Sequence, residues 1–374
     1  MVVTERIRFI LLLAGFLSFL APRVWAQTSR PQTTSPAELN VSQSTPSILQ
    51  GLDVGAWGWL SALHTSYENG DPNEGGEVYW NGEAALSATK SFNGQVVISA
   101  EGDFIDANNQ IRGELEQGYT TILLSDHFQT ALTVGKFNAD IGVEARDFWN
   151  RTNATTSLVF GALPQDMVGI MITQPVPGTD FTLRPFVAEG IDGTFDFGKA
   201  PSGGLMVQYL PNDRFNINLT NWVGPGYQPG NWSTSNFYEP FFLNWVGPQI
   251  LASPQGILYL LDANVTWKLA TDLAVQAEFV YAANSPSPQD FGWTGFLVQG
   301  NYALTENWRV FARWSYLDDV VGLISADPSV HNELSAGIAY SLNRHLEVRA
   351  EYRHDFSTDY GNDDIYSIDL TFGF

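Results

Sequence analysis

Apolar and polar residues alternate with a period of two right to the end of the chain. In residues 365–374, IYSIDLTFGF, the side chains of Tyr366, Ile368, Leu370, Phe372 and Phe374 fall on one face, and Ser367, Asp369, Thr371 and Gly373 fall on the other. Such a period predicts a β-strand with one greasy and one wet face. A soluble sheet could use that strand, but termini ordinarily fray in water. A transmembrane β-barrel explains it more fully: lipid meets the apolar face, the lumen meets the polar face, and the closing strand pairs with the first. The pattern recurs upstream. Ile257, Tyr259, Leu261, Ala263, Val265 and Trp267 alternate with Asp262, Asn264, Thr266 and Lys268. Leu346, Val348, Ala350 and Tyr352 alternate with Glu347, Arg349, Glu351 and Arg353. Four alternate charges need water or partners on their face, because an unpaired buried charge is costly.

The connections between these segments sort by parity. Short ones fall at 91–94, 125–128, 175–179, 211–214, 270–272, 305–307 and 343–345. The longer ones fall at 64–76, 107–111, 136–165, 191–202, 223–255, 284–292, 318–330 and 357–363. Outer-membrane barrels have tight periplasmic turns and extended outer loops, whereas a β-sandwich has no reason to sort its connections this way. The expected fold is all-β: a closed antiparallel transmembrane β-barrel of about 16 strands with both termini periplasmic. The pattern is weakest at 166–174, 181–190, 203–210 and 215–222, where Pro185 and several glycines blur it.

Aromatic residues give an independent test. Phe92, Trp267, Tyr302, Trp308, Tyr340 and Phe374 fall at the short-turn ends of the apolar faces, and Trp80, Tyr259, Tyr281, Tyr316 and Tyr366 at the opposite ends. Two belts at strand ends are what headgroup-level anchoring requires.

Composition narrows the setting. Residues 1–26 read as a secretory signal: Arg6 and Arg8 precede an apolar run over 10–20, and Val24-Trp25-Ala26 fits a small-x-small cleavage site. Residues 27–50 are rich in Ser, Thr, Pro and Gln and read as a flexible periplasmic leader, with a lumen plug as the alternative. The barrel is expected over 51–374. The chain has no cysteine, so disulfides, thiolate metal sites and thiol nucleophiles are excluded. The formal charge of -22 argues against a nucleic-acid partner, which needs a basic footprint. Mean hydropathy is only -0.09, which suits a barrel because only alternate strand residues touch lipid.

Residues 115–144, LEQGYTTILLSDHFQTALTVGKFNADIGVE, resemble the OmpL-like β-barrel porin family. The resemblance rests on Leu115-Glu116-Gln117, Tyr119, Gly135-Lys136-Phe137 and Gly142-Val143-Glu144, with Gly118 where the family more often has alanine. It is close over 115–161 and implies an outer-membrane pore. The terminal strand, with Tyr366, Ile368, Leu370, Phe372 and a final Phe374, resembles the assembly signal of bacterial outer-membrane proteins. That implies the barrel-assembly machinery as a partner, beside outer-membrane lipid and lipopolysaccharide. A homo-oligomer is left open, and no cofactor or metal is expected.

Candidate chemistry centres on the connection 136–165, far longer than a hairpin needs. It carries Asp140, Glu144 and Asp147. By analogy with general porins, it is expected to fold inward and narrow the channel; an exposed loop contacting lipopolysaccharide is the alternative. Arg309, Arg313, Arg349 and Arg353 project from next-but-one strands toward the lumen, with Glu333, Glu347 and Glu351 interleaved. Asp140, Glu144 and Asp147 are expected to face Arg313, Arg349 and Arg353 across a water-filled constriction. An ion-pair ladder that stiffens the wall is the competing account of the arginines. The aromatic-rich connection 223–255, where Asn-Trp-Val-Gly-Pro occurs at 221–225 and again at 244–248, is expected to pack on itself. No serine sits in a Gly-x-Ser-x-Gly elbow, and only His354, near Asp355 and Asp359, could join a hydrolytic group, so no enzyme is expected. Two readings remain: a channel for passive diffusion of small hydrophilic solutes, and a structural or adhesive barrel whose lumen is blocked.

Overall fold

The computed structural model describes residues 51–67, 78–107, 110–145, 150–189, 201–225, 257–285, 291–319, 330–357 and 361–374. The expected signal, the leader and the connection over 226–256 lie outside the described residues, as does Asp147. Sixteen strands form among the described residues. They begin with β1 (Leu52–Tyr67), β2 (Val78–Phe92), β3 (Val96–Ala107), β4 (Gln110–Ser125) and β5 (Thr130–Asn138). Next come β6 (Asp166–Pro175), β7 (Phe181–Ala188), β8 (Ser202–Asn212), β9 (Phe215–Pro225) and β10 (Ile257–Lys268). The series ends with β11 (Leu273–Ser285), β12 (Phe291–Ala303), β13 (Trp308–Asp319), β14 (Val330–Asn343), β15 (Leu346–Ser357) and β16 (Gly361–Gly373). A single helical turn, α1 (Leu158–Gly161), lies between β5 and β6.

Every strand pairs antiparallel with its sequence neighbours, and β1 pairs with β16, so the sheet closes on itself. At that seam Trp57 stands opposite Gly373 and Tyr67 opposite Asp363. The Ser61 hydroxyl donates to Asp369 Oδ1 at 2.5 Å across it. Closure leaves no sheet edge, which is the condition for a sheet to sit in hydrocarbon. The four strands with the weakest pattern all form, as β6 to β9, because their ladders are fixed by neighbours on both sides.

Burial along the strands is inverted relative to a soluble sheet. Ile368 is 61% exposed, while its neighbour Asp369 is completely buried. Val54, Ile170, Val187 and Leu334 are likewise exposed, and Glu333, Ser315 and Thr133 are buried. The outward surface is therefore apolar and the inward one polar, the arrangement of a barrel in a bilayer.

Among the terminal-strand residues, Tyr366, Ile368 and Phe374 are exposed and Leu370 is half-buried. Phe372 departs from the expected lipid exposure, at 7%. It stands opposite Gly58, and its ring occupies the space where a side chain on that glycine would be. An aromatic ring laid over a cross-strand glycine covers backbone that would otherwise face lipid.

The two aromatic belts are present. Phe92, Trp267, Tyr302, Trp308 and Phe374 are exposed at the turn end, and Trp80, Tyr259, Tyr281 and Tyr366 at the other. Tyr340 and Tyr316 are half-buried because Tyr340 packs on Trp308 at 4.5 Å and Tyr316 on Phe296 at 6.0 Å. Two expected long connections are corrected: β3 runs to Ala107 and β4 begins at Gln110, and β15 runs to Ser357 and β16 begins at Gly361, so those joins are as short as the turns.

Candidate functional site

The connection between β5 and β6, residues 139–165, leaves the wall through a left-handed bend. Asp140 has φ 51° and Gly142 φ 86°. The Asp140 carboxylate lies 3.7 Å from Arg184 on β7. From there the segment reaches β13, which lies eight strands from β5 around a ring of sixteen. Its partners on that wall are side chains on the inward face, so the segment crosses the interior of the barrel.

The far wall grips the backbone of residues 152–158 almost group by group. Arg309 Nη1 donates to the Thr152 carbonyl at 2.7 Å, and Arg349 Nη1 to the Asn153 carbonyl at 3.2 Å. Arg313 donates to the carbonyls of Thr155 at 2.6 Å and Thr156 at 3.0 Å, and Arg353 Nη1 reaches Thr156 at 2.7 Å. Glu351 accepts from the N–H groups of Ala154 at 2.6 Å and Thr155 at 3.0 Å, and from the Thr155 hydroxyl at 2.8 Å. Glu333 accepts from the Leu158 N–H at 3.2 Å. An irregular segment inside a barrel has no ladder to satisfy its backbone, so the wall supplies the partners. Ser157 caps α1 through its hydroxyl, which accepts from the Phe160 N–H at 3.0 Å.

The same charges pair among themselves. Arg313 lies 2.7 Å from Glu144 and 2.5 Å from Glu333, with no exposed side-chain surface. Arg309 and Arg349 share Glu347 Oε1 at 2.9 and 2.8 Å. Arg353 pairs with Asp355 at 2.7 Å. Glu144 also accepts from both the backbone N–H and the hydroxyl of Ser157.

Further round the wall, two more carboxylates hold the start of the segment. Gly142 N–H donates to Asp262 on β10 at 3.4 Å, and Val143 N–H to Glu278 on β11 at 2.9 Å. The underside of the segment is apolar. Ile141, Val159, Ala162 and Leu163 belong to a buried cluster with inward residues of β7 to β13, among them Phe186, Trp222, Leu260, Val280, Trp293 and Leu317. Phe186 and Trp222 meet edge-on, with ring centroids 4.9 Å apart.

These contacts correct the expected geometry. Glu144 and Arg313 do not face one another across water; they touch, because two buried charges lose more by standing apart in a low-dielectric interior than by pairing. Asp140 turns to Arg184 and to none of the β13 or β15 arginines. Arg349 and Arg353 meet the segment's carbonyls, at Asn153 and Thr156. The ion-pair ladder weighed for Arg309, Arg313, Arg349 and Arg353 is there, and it also carries the segment. Asp262, Glu278, Arg184 and the apolar lumen patch were not singled out from the sequence. The patch does leave a trace: residues 257–261 read ILYLL, apolar on both faces, as expected where both faces of a strand are covered.

The inward face of β1 to β4 is different in kind. Trp57 Nε1 donates to Glu101 Oε1 at 2.6 Å, and Gln117 Nε2 to Glu101 Oε2 at 3.3 Å. A register shift at Glu101 and Gly102 leaves Glu116 as the extra residue of a bulge. Carboxylate oxygens of Glu83, Asp103 and Glu116 lie within 4.8 Å of one another, a spacing a hard divalent cation could bridge. Each of the three already has a partner within the protein. His354 sits on the outward face, where its Nδ1 lies 2.8 Å from Asp364, which also accepts from the Tyr352 hydroxyl at 2.6 Å.

Solved outer-membrane channels share this architecture. The anion-selective porin from Comamonas acidovorans superposes with a TM-score of 0.63 at 11% identity, covering 86% of this chain and 99% of that one. The outer membrane channel DcaP of Acinetobacter baumannii gives 0.59 at 11% identity, with 87% and 98% covered. OmpF of Salmonella typhi, in a complex with daunomycin, gives 0.59 at 11% identity, with 86% and 97% covered. At such identities the likeness is one of fold. No curated protein matches the chain. The family described as "Putative beta-barrel porin-2, OmpL-like" matches residues 61–373, almost the whole barrel, and the chain belongs to that outer-membrane β-barrel family.

Proposed function

We propose that the protein is a porin whose water-filled lumen lets small hydrophilic solutes cross the outer membrane by passive diffusion. The segment over residues 139–165 narrows that lumen. One observation carries the reading: a barrel of sixteen strands, wide enough to hold water, with an inward segment anchored to the far wall by the β13–β15 charges. Eight-stranded barrels fill with their own side chains, whereas about sixteen strands leave an aqueous space. Diffusion through such a space needs no catalytic group, and this reading assigns none.

In this reading residues 1–26 direct export, residues 27–50 form a periplasmic leader, and the short turns face the periplasm. Outer-membrane lipid and lipopolysaccharide surround the barrel, and the terminal strand engages the assembly machinery. A second reading, a non-conducting structural barrel, is favoured by the apolar cluster inside the lumen. Purified protein in a planar bilayer separates the two. Discrete conductance steps that persist in potassium chloride, with swelling of proteoliposomes in small sugars, are expected of the channel. Insertion without conductance would leave the structural barrel.

A further inference from the structure

We propose that Asp262 on β10 and Glu278 on β11 position the constricting segment through one proton shared between their carboxyl groups, so that docking of residues 139–165 depends on pH. The proposal rests on the channel reading above and concerns how the part that narrows the lumen is held.

The pair forms the seat on which the segment enters the lumen. Asp262 has no exposed surface and Glu278 only 5%. One oxygen of each accepts from the segment's backbone: Asp262 Oδ1 from the Gly142 N–H at 3.4 Å, and Glu278 Oε2 from the Val143 N–H at 2.9 Å. Asn264 Nδ2 donates to the same Asp262 Oδ1 at 2.7 Å. The other two oxygens, Asp262 Oδ2 and Glu278 Oε1, are buried with no donor against them among the described residues. The two carboxyl groups lie within hydrogen-bonding reach of each other. A side chain on Gly142 would meet Glu278 Oε1 at 3.0 Å, so the segment's backbone sits directly on the pair.

No base among the described residues forms an ion pair with either group. Across their ladders Asp262 stands between Thr220 and Val280, and Glu278 between Asn264 and Leu297, all uncharged. The charged group that the segment brings to bear on Glu278 is another acid, Glu144. Arg313 is paired with Glu144 and Glu333, and Arg184 lies 3.7 Å from Asp140. Two ionised carboxylates side by side in a dry site repel each other and lose their hydration together. One proton between them turns the clash into a charge-assisted hydrogen bond, the O–H of one donating to the O⁻ of the other. A single negative charge then remains, and the Gly142, Val143 and Asn264 donors face it. Raising the pH passes the shared proton to solvent and restores the repulsion beneath Gly142 and Val143. The docked state holds one more proton than the pair does when hydrated and apart, so docking weakens as pH rises.

The test uses detergent-folded protein and planar bilayers. At neutral pH the infrared spectrum should contain the carbonyl stretch of a protonated carboxyl group, lost in both Asp262→Asn and Glu278→Gln. Protease cleavage within residues 139–165 of the wild type should accelerate severalfold from mildly acidic to alkaline pH. Asp262→Asn, whose amide is a permanent donor to Glu278, should stay resistant over the same range; if it does not fold, Glu278→Gln supplies the comparison. Wild-type conductance should follow the same pH profile and the variant's should not. An identical profile in wild type and variants, or an unchanged carboxyl band, would overturn the proposal and leave the porin reading intact. Cleavage of the wild type brought on at neutral pH by a chelator would put a metal cation in place of the proton and overturn it too. Wild-type protein that shows the band and the protected segment but does not conduct would overturn the porin reading and leave the shared proton standing.

Discussion

Arg313 and Glu144 lie 2.7 Å apart although 169 residues separate them, the arginine wholly buried on β13 and the glutamate on the segment that leaves β5, eight strands away round the ring. The pair joins the β13 wall to a segment that belongs to β5 and β6. Its position makes it the test of whether that segment is a fixed part of the fold.

Replacing Arg313 by Met removes the partner of Glu144, of Glu333 and of the Thr155 and Thr156 carbonyls together. Stranding buried carboxylates in this way costs about 3–5 kcal/mol. We expect the segment over 139–165 to detach before the barrel unfolds, seen as protease cleavage there in protein that still migrates as a folded, heat-modifiable species. Gly142→Ala attacks the same docking from the other end. Its Cβ would fall 2.7 Å from Leu163 Cδ1 and 3.0 Å from Glu278 Oε1, at a φ of 86° that side chains rarely adopt. Equal protease resistance in both variants and wild type would show that the clamp does not hold the segment.

Phe374 ends the chain stacked on His345, ring centroids 5.1 Å apart at 15°, while His345 Nδ1 lies 2.7 Å from the Gly373 carbonyl. The final residues thus sit against the β14–β15 turn. We expect deletion of Phe374, or its replacement by Asp, to impair insertion while export continues. His345→Ala, which removes only the stacking partner, should insert normally. Full amounts of heat-modifiable, membrane-embedded protein from the Phe374 deletion would remove the basis for assigning an assembly signal to this strand.

Orientation can be read from outside the cell. Asn93 lies in the tight turn between β2 and β3, and Asn231 in the longest connection. Single cysteines at these positions should differ on intact cells: a membrane-impermeant maleimide should label position 231 and not position 93. Labelling at 93 would reverse the orientation.

Much of this barrel was legible in the chain. The period of two, the parity of the connections and the placement of aromatics at strand ends are local consequences of strands that have lipid on one side and water on the other, so they survive in the order of residues. The inward direction of Arg313, Arg349 and Arg353 followed from the same alternation. What those side chains touch did not. Their partners are backbone carbonyls of Asn153, Thr155 and Thr156, groups every residue carries, which no pattern of side chains can announce. The apolar lumen patch was half visible, as the run at 257–261, but its cover could be identified only once the closed ring set β5 opposite β13. Sequence alone determined the sheet, its two faces and the excess length of one connection. The tertiary structure decided that the connection is clamped and that Glu144 pairs directly with Arg313, because burial of charge and of unladdered backbone can be balanced only by groups that closure brings together.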